Sequence, residues 1–345
     1  MIDLSCTGSC AKQLRRTWSG LLLSFLLLGP IPTLTAQQSP LAKLPVSDET
    51  IKLDRYPVQP DPDSGVSMAH LGVGELFQSD MTLVEIPPGE KLAPHRHLAE
   101  EVIYIVAGAG YTTMWTRSGE EPQRYEWAAG DLISPSLNAW HQHFNTSPDK
   151  PVRYVSMTST PLTKKLFQSE EFITSSDFVF EERWQKGITQ QPEYKKPDNI
   201  DMQAGHMLQD LPGRKLQGKE GSFGITIRPD GDMAGNHILQ TLVREYRADA
   251  TLPLEGHRHP WEVVYLVLEG EGSSILKRGD EPARVVNWQK GDLFIVEANE
   301  YHDNGARIGS VLKTPYPRLM QMRPSGYFFG VGDVGKEDKT PVDLF

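Results

Sequence analysis

Cysteine is nearly missing from this chain. It has two, Cys6 and Cys10, both within the first ten residues. Everything after them lacks a disulfide framework, a thiolate metal site and a cysteine nucleophile. Basic charge is short as well: 35 Lys and Arg stand against 45 Asp and Glu, a net charge of −10. Three of the cations, Lys12, Arg15 and Arg16, fall in the first 36 residues against the single acid Asp3, so the body is more acidic than the total suggests. Such a body argues against nucleic acid and against anionic membrane surfaces as partners. It leaves room for a small anionic substrate, because a bound metal can dominate the local field. Long apolar runs are missing too. The run Leu21–Leu28 is too short to span a bilayer. It follows Arg15-Arg16 and leads to Gly29-Pro30 and Thr35-Ala36, which predicts a secretory signal peptide over residues 1–36 with cleavage after Ala36. The expected location is periplasmic or secreted, with no membrane attachment after cleavage.

What the chain does contain is turn residues, Gly 30 and Pro 26, spread among short apolar stretches. Residues 37–65 read as an extended arm, a candidate for exchange onto a neighbouring subunit in a homo-oligomer. Strand-like segments follow at Met81–Ile86, Val102–Ala107, Tyr111–Trp115, Asp131–Ser134 and Val152–Thr158, separated by turns such as Pro87-Pro88-Gly89. Many short strands at this spacing predict a sandwich or barrel over residues 66–160. Residues 161–236 read as a linker with one short helix, Leu162–Phe172. Strands return over 237–324, and 325–345 reads as a tail.

The two strand-rich halves repeat each other. His95-Arg96-His97, Glu101 and His141 in the first are echoed by His257-Arg258-His259, Glu262 and His302 in the second. Glu101-Val-Ile-Tyr104 is matched with Glu262-Val-Val-Tyr265, and Trp127-Ala-Ala-Gly130-Asp131-Leu132 with Trp288-Gln-Lys-Gly291-Asp292-Leu293. Duplication of one domain is the economical explanation. Within a strand, residues i and i+2 share a face, so His95 and His97 can point into a barrel while Arg96 points out. A turn lets Glu101 come back toward them, and His141 closes the set from a distant strand. Three imidazoles and one carboxylate suit a divalent transition ion, Fe(II) or Mn(II) foremost, with up to two per chain. An octahedral ion held by four such groups keeps two positions open for water, oxygen or substrate. Arg96 and Arg258, alternating out of the ligand face, are assigned to salt bridges. His70, His206 and His237 are assigned structural roles.

The pattern Gly89-x5-His95-x-His97-x3-Glu101-x6-Gly108 is similar to the first cupin motif, and Gly130…Pro135…His141-x3-Asn145 is similar to the second. The chain looks like a bicupin over roughly residues 65–160 and 235–325. The resemblance implies an all-β fold of two tandem jelly-roll (double-stranded β-helix) barrels with a partly helical linker. It implies His95, His97, Glu101 and His141 as ligands of one metal, and His257, His259, Glu262 and His302 as ligands of a second. The second half departs from the pattern. Glu262 follows His259 by one residue fewer, Gly270 comes one residue later, and Thr251 stands where the first glycine would be.

Fold alone settles little about activity. The stretch Trp127…Trp140-His141-x-His143-Phe144-Asn145 resembles gentisate-type aromatic dioxygenases, which implies an oxidoreductase acting on a small aromatic or hydroxy-acid substrate. On that reading Glu101 and His143 are catalytic candidates. Tyr104, Trp115, Trp140 and Trp261 are candidates to line the substrate pocket. Those dioxygenases use three histidines without the glutamate, so Glu101 departs from their pattern. Two alternatives compete: a manganese oxalate decarboxylase or oxidase, and a non-catalytic periplasmic metal- or ligand-binding bicupin.

Overall fold

The computed structural model describes residues 44–188, 200–202, 205–214, 225–228, 236–246, 256–304 and 317–325. The expected signal peptide, the start of the arm, Thr251 and nearly all of the expected tail lie outside the described residues. The first half contributes β1 (Val46–Ser47), β2 (Ile51–Lys52), β3 (Gln59–Asp61), β4 (Val66–Leu71), β5 (Asp80–Ile86), β6 (Glu101–Ala107), β7 (Ala109–Trp115), β8 (Gln123–Ala128), β9 (Leu132–Ile133), β10 (Trp140–Asn145) and β11 (Val152–Thr158). Helices α1 (Thr160–Phe167), α2 (Glu170–Ser175) and α3 (Glu181–Ile188) follow. The expected single helix is thus broken in two. Gln168 takes a left-handed conformation, and Ser169 restarts the chain by capping α2 through Phe172 N–H. The second half contributes β12 (Ile200–Met202), β13 (Met207–Leu208), β14 (Ile225–Arg228), β15 (Gln240–Glu245), β16 (Val263–Glu269), β17 (Glu271–Lys277), β18 (Arg284–Gln289), β19 (Asp292–Val296), β20 (Tyr301–Asp303) and β21 (Arg318–Arg323).

These strands form two barrels, each a long sheet facing a short one. In the first, the order β13-β9-β6-β11-β5-β4-β3 faces β10-β7-β8; in the second, β12-β14-β15-β21-β16-β19-β2 faces β1-β18-β17-β20. Isolated bridges His95↔His141 and His257↔His302 join the ligand segments across each barrel mouth.

The halves exchange strands. β2, which precedes the first barrel, pairs with β19 of the second; β13, which lies between β12 and β14 of the second, pairs with β9 of the first. β1 likewise lies along β18 of the second barrel. Each borrowed strand covers a sheet edge that would otherwise offer unpaired backbone groups. Residues 46–52 therefore reach the other half of their own chain.

Alternation along the long sheets divides the core in three. Val102 and Tyr104 on β6, with Val264 and Leu266 on β16, meet in one cluster between the two long sheets. Their neighbours Ile103 and Ile105 turn into the first barrel, and Val263, Tyr265 and Val267 into the second. Both faces of these strands are buried, which explains their near-continuous apolar runs.

The repeated tryptophans brace each barrel. The indole N–H of Trp127 donates to Thr112 Oγ1 at 2.9 Å and that of Trp288 to Ser274 Oγ at 2.9 Å. A Cβ on Gly110 would meet the Trp127 ring at 2.5 Å and the Phe144 carbonyl oxygen at 2.0 Å; one on Gly272 would meet the Trp288 ring at 2.4 Å. The glycines of the repeat are there because the ring and the strand approach so closely.

Candidate metal centres

His95, His97, Glu101 and His141 converge in the first barrel, with one ligand atom from each lying within 4.8 Å of the others. Glu101 opens β6 and His141 sits on β10, while the His95 segment is drawn in by its bridge to His141. The backbone N–H of Asn138, at φ 60°, donates to the His97 carbonyl at 3.0 Å; Asn299, at φ 63°, does the same to His259 at 2.7 Å. Asparagine tolerates this left-handed conformation better than most residues, so it suits the turn that ties the two ligand segments together.

Each imidazole of the first centre is oriented by its own backbone. The Nδ1 atoms of His95, His97 and His141 lie 3.0, 2.9 and 2.9 Å from the carbonyl oxygens of Ala93, Ala99 and Ala139. A carbonyl only accepts, so Nδ1 carries the proton and Nε2 presents a lone pair inward. Glu101 Oε2 lies 3.4 Å from His97 Nε2 and 3.2 Å from His141 Nε2, while Ser156 Oγ donates to Oε1. Burial alone would raise the Glu101 pKa, but His141 and His97 outweigh it and hold the carboxyl well below the usual range. Burial, reinforced by His141, pushes His95 down to about 2.

His143 shares the facing of His141 on β10 but is not a member of the ligand cluster. Its Nδ1 lies 2.7 Å from Thr112 Oγ1, the same oxygen that receives the Trp127 indole. Its ring centroid is 5.6 Å from that of His141 and 5.4 Å from that of Tyr154. Burial and His141 push its pKa down to about 3, so the imidazole is neutral.

In the second barrel the converging set among the described residues is His257, His259 and His302. His259 Nδ1 donates to the Trp261 carbonyl at 2.7 Å, and its ring stacks on Trp261 at 4.5 Å. His302 Nδ1 points to the Glu300 carbonyl at 3.4 Å, and its buried Nε2 has no hydrogen-bond partner among the described residues. Burial first, then the neighbouring imidazoles and a nearby arginine, push His259 down to about 3 and hold His302 well below the ordinary range.

The structure does not bring Glu262 to these histidines. Its carboxylate accepts the backbone N–H groups of Gln78 and Ser79, each at 2.7 Å, and Ser79 Oγ at 2.9 Å. The strand register explains why. Ala107 pairs with Arg153 beside a bulge in the first barrel, and Glu269 pairs with Arg318 beside a bulge in the second. Counting back from those pairs, the counterpart of Glu262 is Glu100, and the counterpart of Glu101 is Val263. Matching Glu101 with Glu262 by identity slips the alignment by one residue and exchanges the two faces of the strand.

Residues 82–158 match the family model described as Cupin domain. The fold is all-β, built of cupin barrels. Among solved structures, a Lactobacillus farciminis oxalate decarboxylase in a formate complex aligns at 14% identity with a TM-score of 0.50, covering 81% of this chain and 86% of that one. A Bacillus subtilis oxalate decarboxylase carrying a 162–163 deletion aligns at 14% identity with a TM-score of 0.48, covering 81% and 77%. At this identity the likeness concerns the fold. No curated protein sequence matches the chain.

The two cupin barrels are filled differently. Beside the second centre, a cavity of about 20 Å³ is lined by Arg244, Tyr246, Tyr265, Gln321 and Arg323. Asp303 is the one carboxylate lining it among the described residues. In the first cupin barrel Val84 pairs with Tyr154 and Thr82 with Ser156; in the second Arg244 pairs with Leu319 and Leu242 with Gln321. The places of Arg244, Tyr246, Tyr265 and Arg323 thus correspond to Val84, Ile86, Ile103 and Thr158. The first three of those pack in the apolar core of the first barrel. Sequence reasoning missed the four second-barrel residues. The signal for three of them was a charge, Arg244, and two phenols, Tyr246 and Tyr265, at places whose first-half counterparts are apolar.

The expected substrate-lining aromatics disperse. Trp115 and Trp140 alternate out of the first barrel and stack on each other at 6.0 Å, with the Arg96 guanidinium 4.8 Å above Trp140. Tyr104 is packed between the two long sheets. Only Trp261 stays near a centre, behind His259 rather than in the cavity. Arg96 also donates to the Ser175 carbonyl at 3.2 Å. His206 is buried against Ser134 O at 2.9 Å.

Both clusters fit a divalent transition ion. Imidazole nitrogens gathered within 4.8 Å, with the Nδ1 atoms of His95, His97, His141 and His259 held by carbonyls so that Nε2 is left for a ligand, are the donor set such an ion takes. The first cluster adds a carboxylate held ionised, and the second leaves more of the coordination sphere to solvent or substrate.

Proposed function

We propose that this is a metal-dependent cupin enzyme, an oxidoreductase of the dioxygenase type. Its reaction centre is then the three-histidine cluster of the second barrel, and its substrate a small aromatic or hydroxy-acid anion. The observation that carries this is the polar lining in which Arg244, Arg323, Tyr246 and Tyr265 stand beside His257, His259 and His302; at about 20 Å³ the space receives the anionic end of a substrate and not its whole body. The three-histidine set without a carboxylate is also the pattern of gentisate-type enzymes, whose likeness to this sequence lies in Trp127 to Asn145 of the first barrel. Iron or manganese held there supplies the electron transfer between an organic substrate and dioxygen that no side chain of this protein can perform.

The chain's own residues do the rest. Arg244 and Arg323 place two guanidinium groups where an anionic substrate would otherwise lose its hydration, and charge-assisted hydrogen bonds fix its orientation. Tyr265 stays protonated, because burial raises its pKa, and so acts as a donor. The Asn304 amide donates to Tyr246 Oη at 3.3 Å and its oxygen accepts from Ser274 at 2.8 Å, a chain that ends on Trp288 and sets the tilt of the phenol. Buried His259 and Trp261 exclude water from the back of the site.

The first centre supports a second reading. Its three histidines and one carboxylate are the set expected of a manganese oxalate decarboxylase or oxidase. Oxygen uptake with catechols, gentisate or hydroxynaphthoates supports the first reading. Carbon dioxide and formate from oxalate without net oxygen uptake supports the second and removes the first. Bound metal with neither activity leaves a binding protein. The acidic body and the leader pattern support a periplasmic or secreted protein, checked by the N-terminal residue of the exported chain.

A further inference from the structure

Two buried carboxylates belong to neither ligand cluster, yet each sits on a ligand turn. Glu100, between His97 and Glu101, accepts the backbone N–H groups of His237, Ile238 and Leu239 at 2.8, 2.7 and 2.9 Å, and Arg183 Nη1 at 2.8 Å. Those three amides immediately precede β15, the strand that carries Arg244 and runs into Tyr246. Glu262, three residues after His259, accepts the N–H groups of Gln78 and Ser79 at 2.7 Å each and of Phe77 at 3.4 Å. Those amides immediately precede β5. That strand pairs along β11, which carries Ser156, the donor to Glu101. Gln78 Nε2 adds a bond to the Pro260 carbonyl at 2.9 Å, inside the second ligand turn. The arrangement is reciprocal: each ligand turn holds the strand entrance of the other barrel.

A carboxylate so buried stays only where donors surround it, and three successive amides surround it from one direction. Neither turn can shift without carrying its carboxylate, and neither carboxylate can shift without carrying the opposite strand.

We propose that Glu100 and Glu262 couple the two metal centres, so that filling one raises the affinity of the other. This rests on the reading that both clusters bind a divalent metal. Both glutamates are positioning residues. An ion in the first centre immobilises His97 and Glu101, which fixes Glu100 between them and holds the entrance of β15, and with it Arg244, in place. Linkage requires the second centre to act back on the first by the same factor.

The test uses the full chain, stripped with a chelator and titrated with Co(II). Calorimetry gives the affinities, and visible absorption separates a three-histidine set from one that includes a carboxylate. In His141→Ala the second centre binds Co(II) at least about fivefold more weakly than in the wild type, and in His302→Ala the first centre weakens by the same factor. In Glu100→Gln the second centre weakens without any change in its own ligands, and adding His141→Ala changes little more. Equal second-centre affinity in the wild type and in His141→Ala overturns the coupling while leaving the metal reading intact. No Co(II) binding at either cluster overturns both. If Glu100→Gln does not fold, the two histidine variants still decide, because they leave both carboxylates in place.

Discussion

Glu101 and Val263 occupy the same place in the two barrels. Glu101 turns into the first barrel and meets two imidazoles; Val263 turns into the second and packs in its apolar core. One substitution in a duplicated strand therefore separates a four-ligand centre from a three-ligand one. Glu101→Val should convert the first into a copy of the second. Metal affinity at the first centre should drop at least about tenfold, the size expected when a site loses a supporting group, with the second centre changed only through the coupling. Calorimetric titration with Mn(II) measures it. Undiminished affinity would show that Glu101 is not a ligand.

Arg244 and Arg323 should matter to substrate and not to metal loading. Arg323→Gln removes a charge-assisted hydrogen bond to an anionic substrate, a loss of about 2 kcal/mol, or roughly thirtyfold in KM. Elemental analysis should find the same metal content as in the wild type. A variant with unchanged KM for every anionic substrate turned over would move the substrate out of this cavity.

Gly110→Ala and Gly89→Ala separate two costs of replacing glycine. At Gly110 the new methyl meets backbone and a tryptophan, and overpacking of about 2–3 kcal/mol or more follows. At Gly89, where φ is +69° and nothing lies within 4 Å, only the left-handed strain of about 1 kcal/mol applies. Urea midpoints of the two variants should differ accordingly, and the reverse order would contradict the packing described for Trp127.

Stability of the metal-free protein should fall on mild acidification. Burial holds His206 at about 4, below the ordinary 6.5. Unfolded chains then take up a proton that folded ones refuse, so stability is full above about pH 6.5 and declines as pH falls toward 4. The full contribution of this one group is roughly 3 kcal/mol. His206→Gln should flatten part of the decline in thermal midpoints between pH 7 and 4. An unchanged slope would place the acid sensitivity elsewhere, in the histidines of the two centres.

The histidines were legible early because His-x-His needs only the period of a strand, and period is local. The duplication was legible because Gly110 with Trp127, and Gly272 with Trp288, mark one packing device twice. Glu262 was not legible. Identity of type drew it into register with Glu101, and in a strand a slip of one residue reverses which side faces the metal. The aromatic candidates failed for the same reason: composition says that Trp115 and Trp140 are apolar, and only alternation along β7 and β10 says that they face outward.

The amino-acid order by itself determined the strand-rich halves, their duplication and six inward imidazoles, because these depend on neighbours two residues apart and on repetition. Tertiary structure alone decided which glutamate reaches a metal site, which half keeps a polar cavity, and that each half lends the other a strand and a carboxylate anchor. Those outcomes depend on pairing register and on contacts between segments some 75 to 240 residues apart, as in β13 with β9, Gln78 with Glu262 and β2 with β19, and no local pattern encodes them.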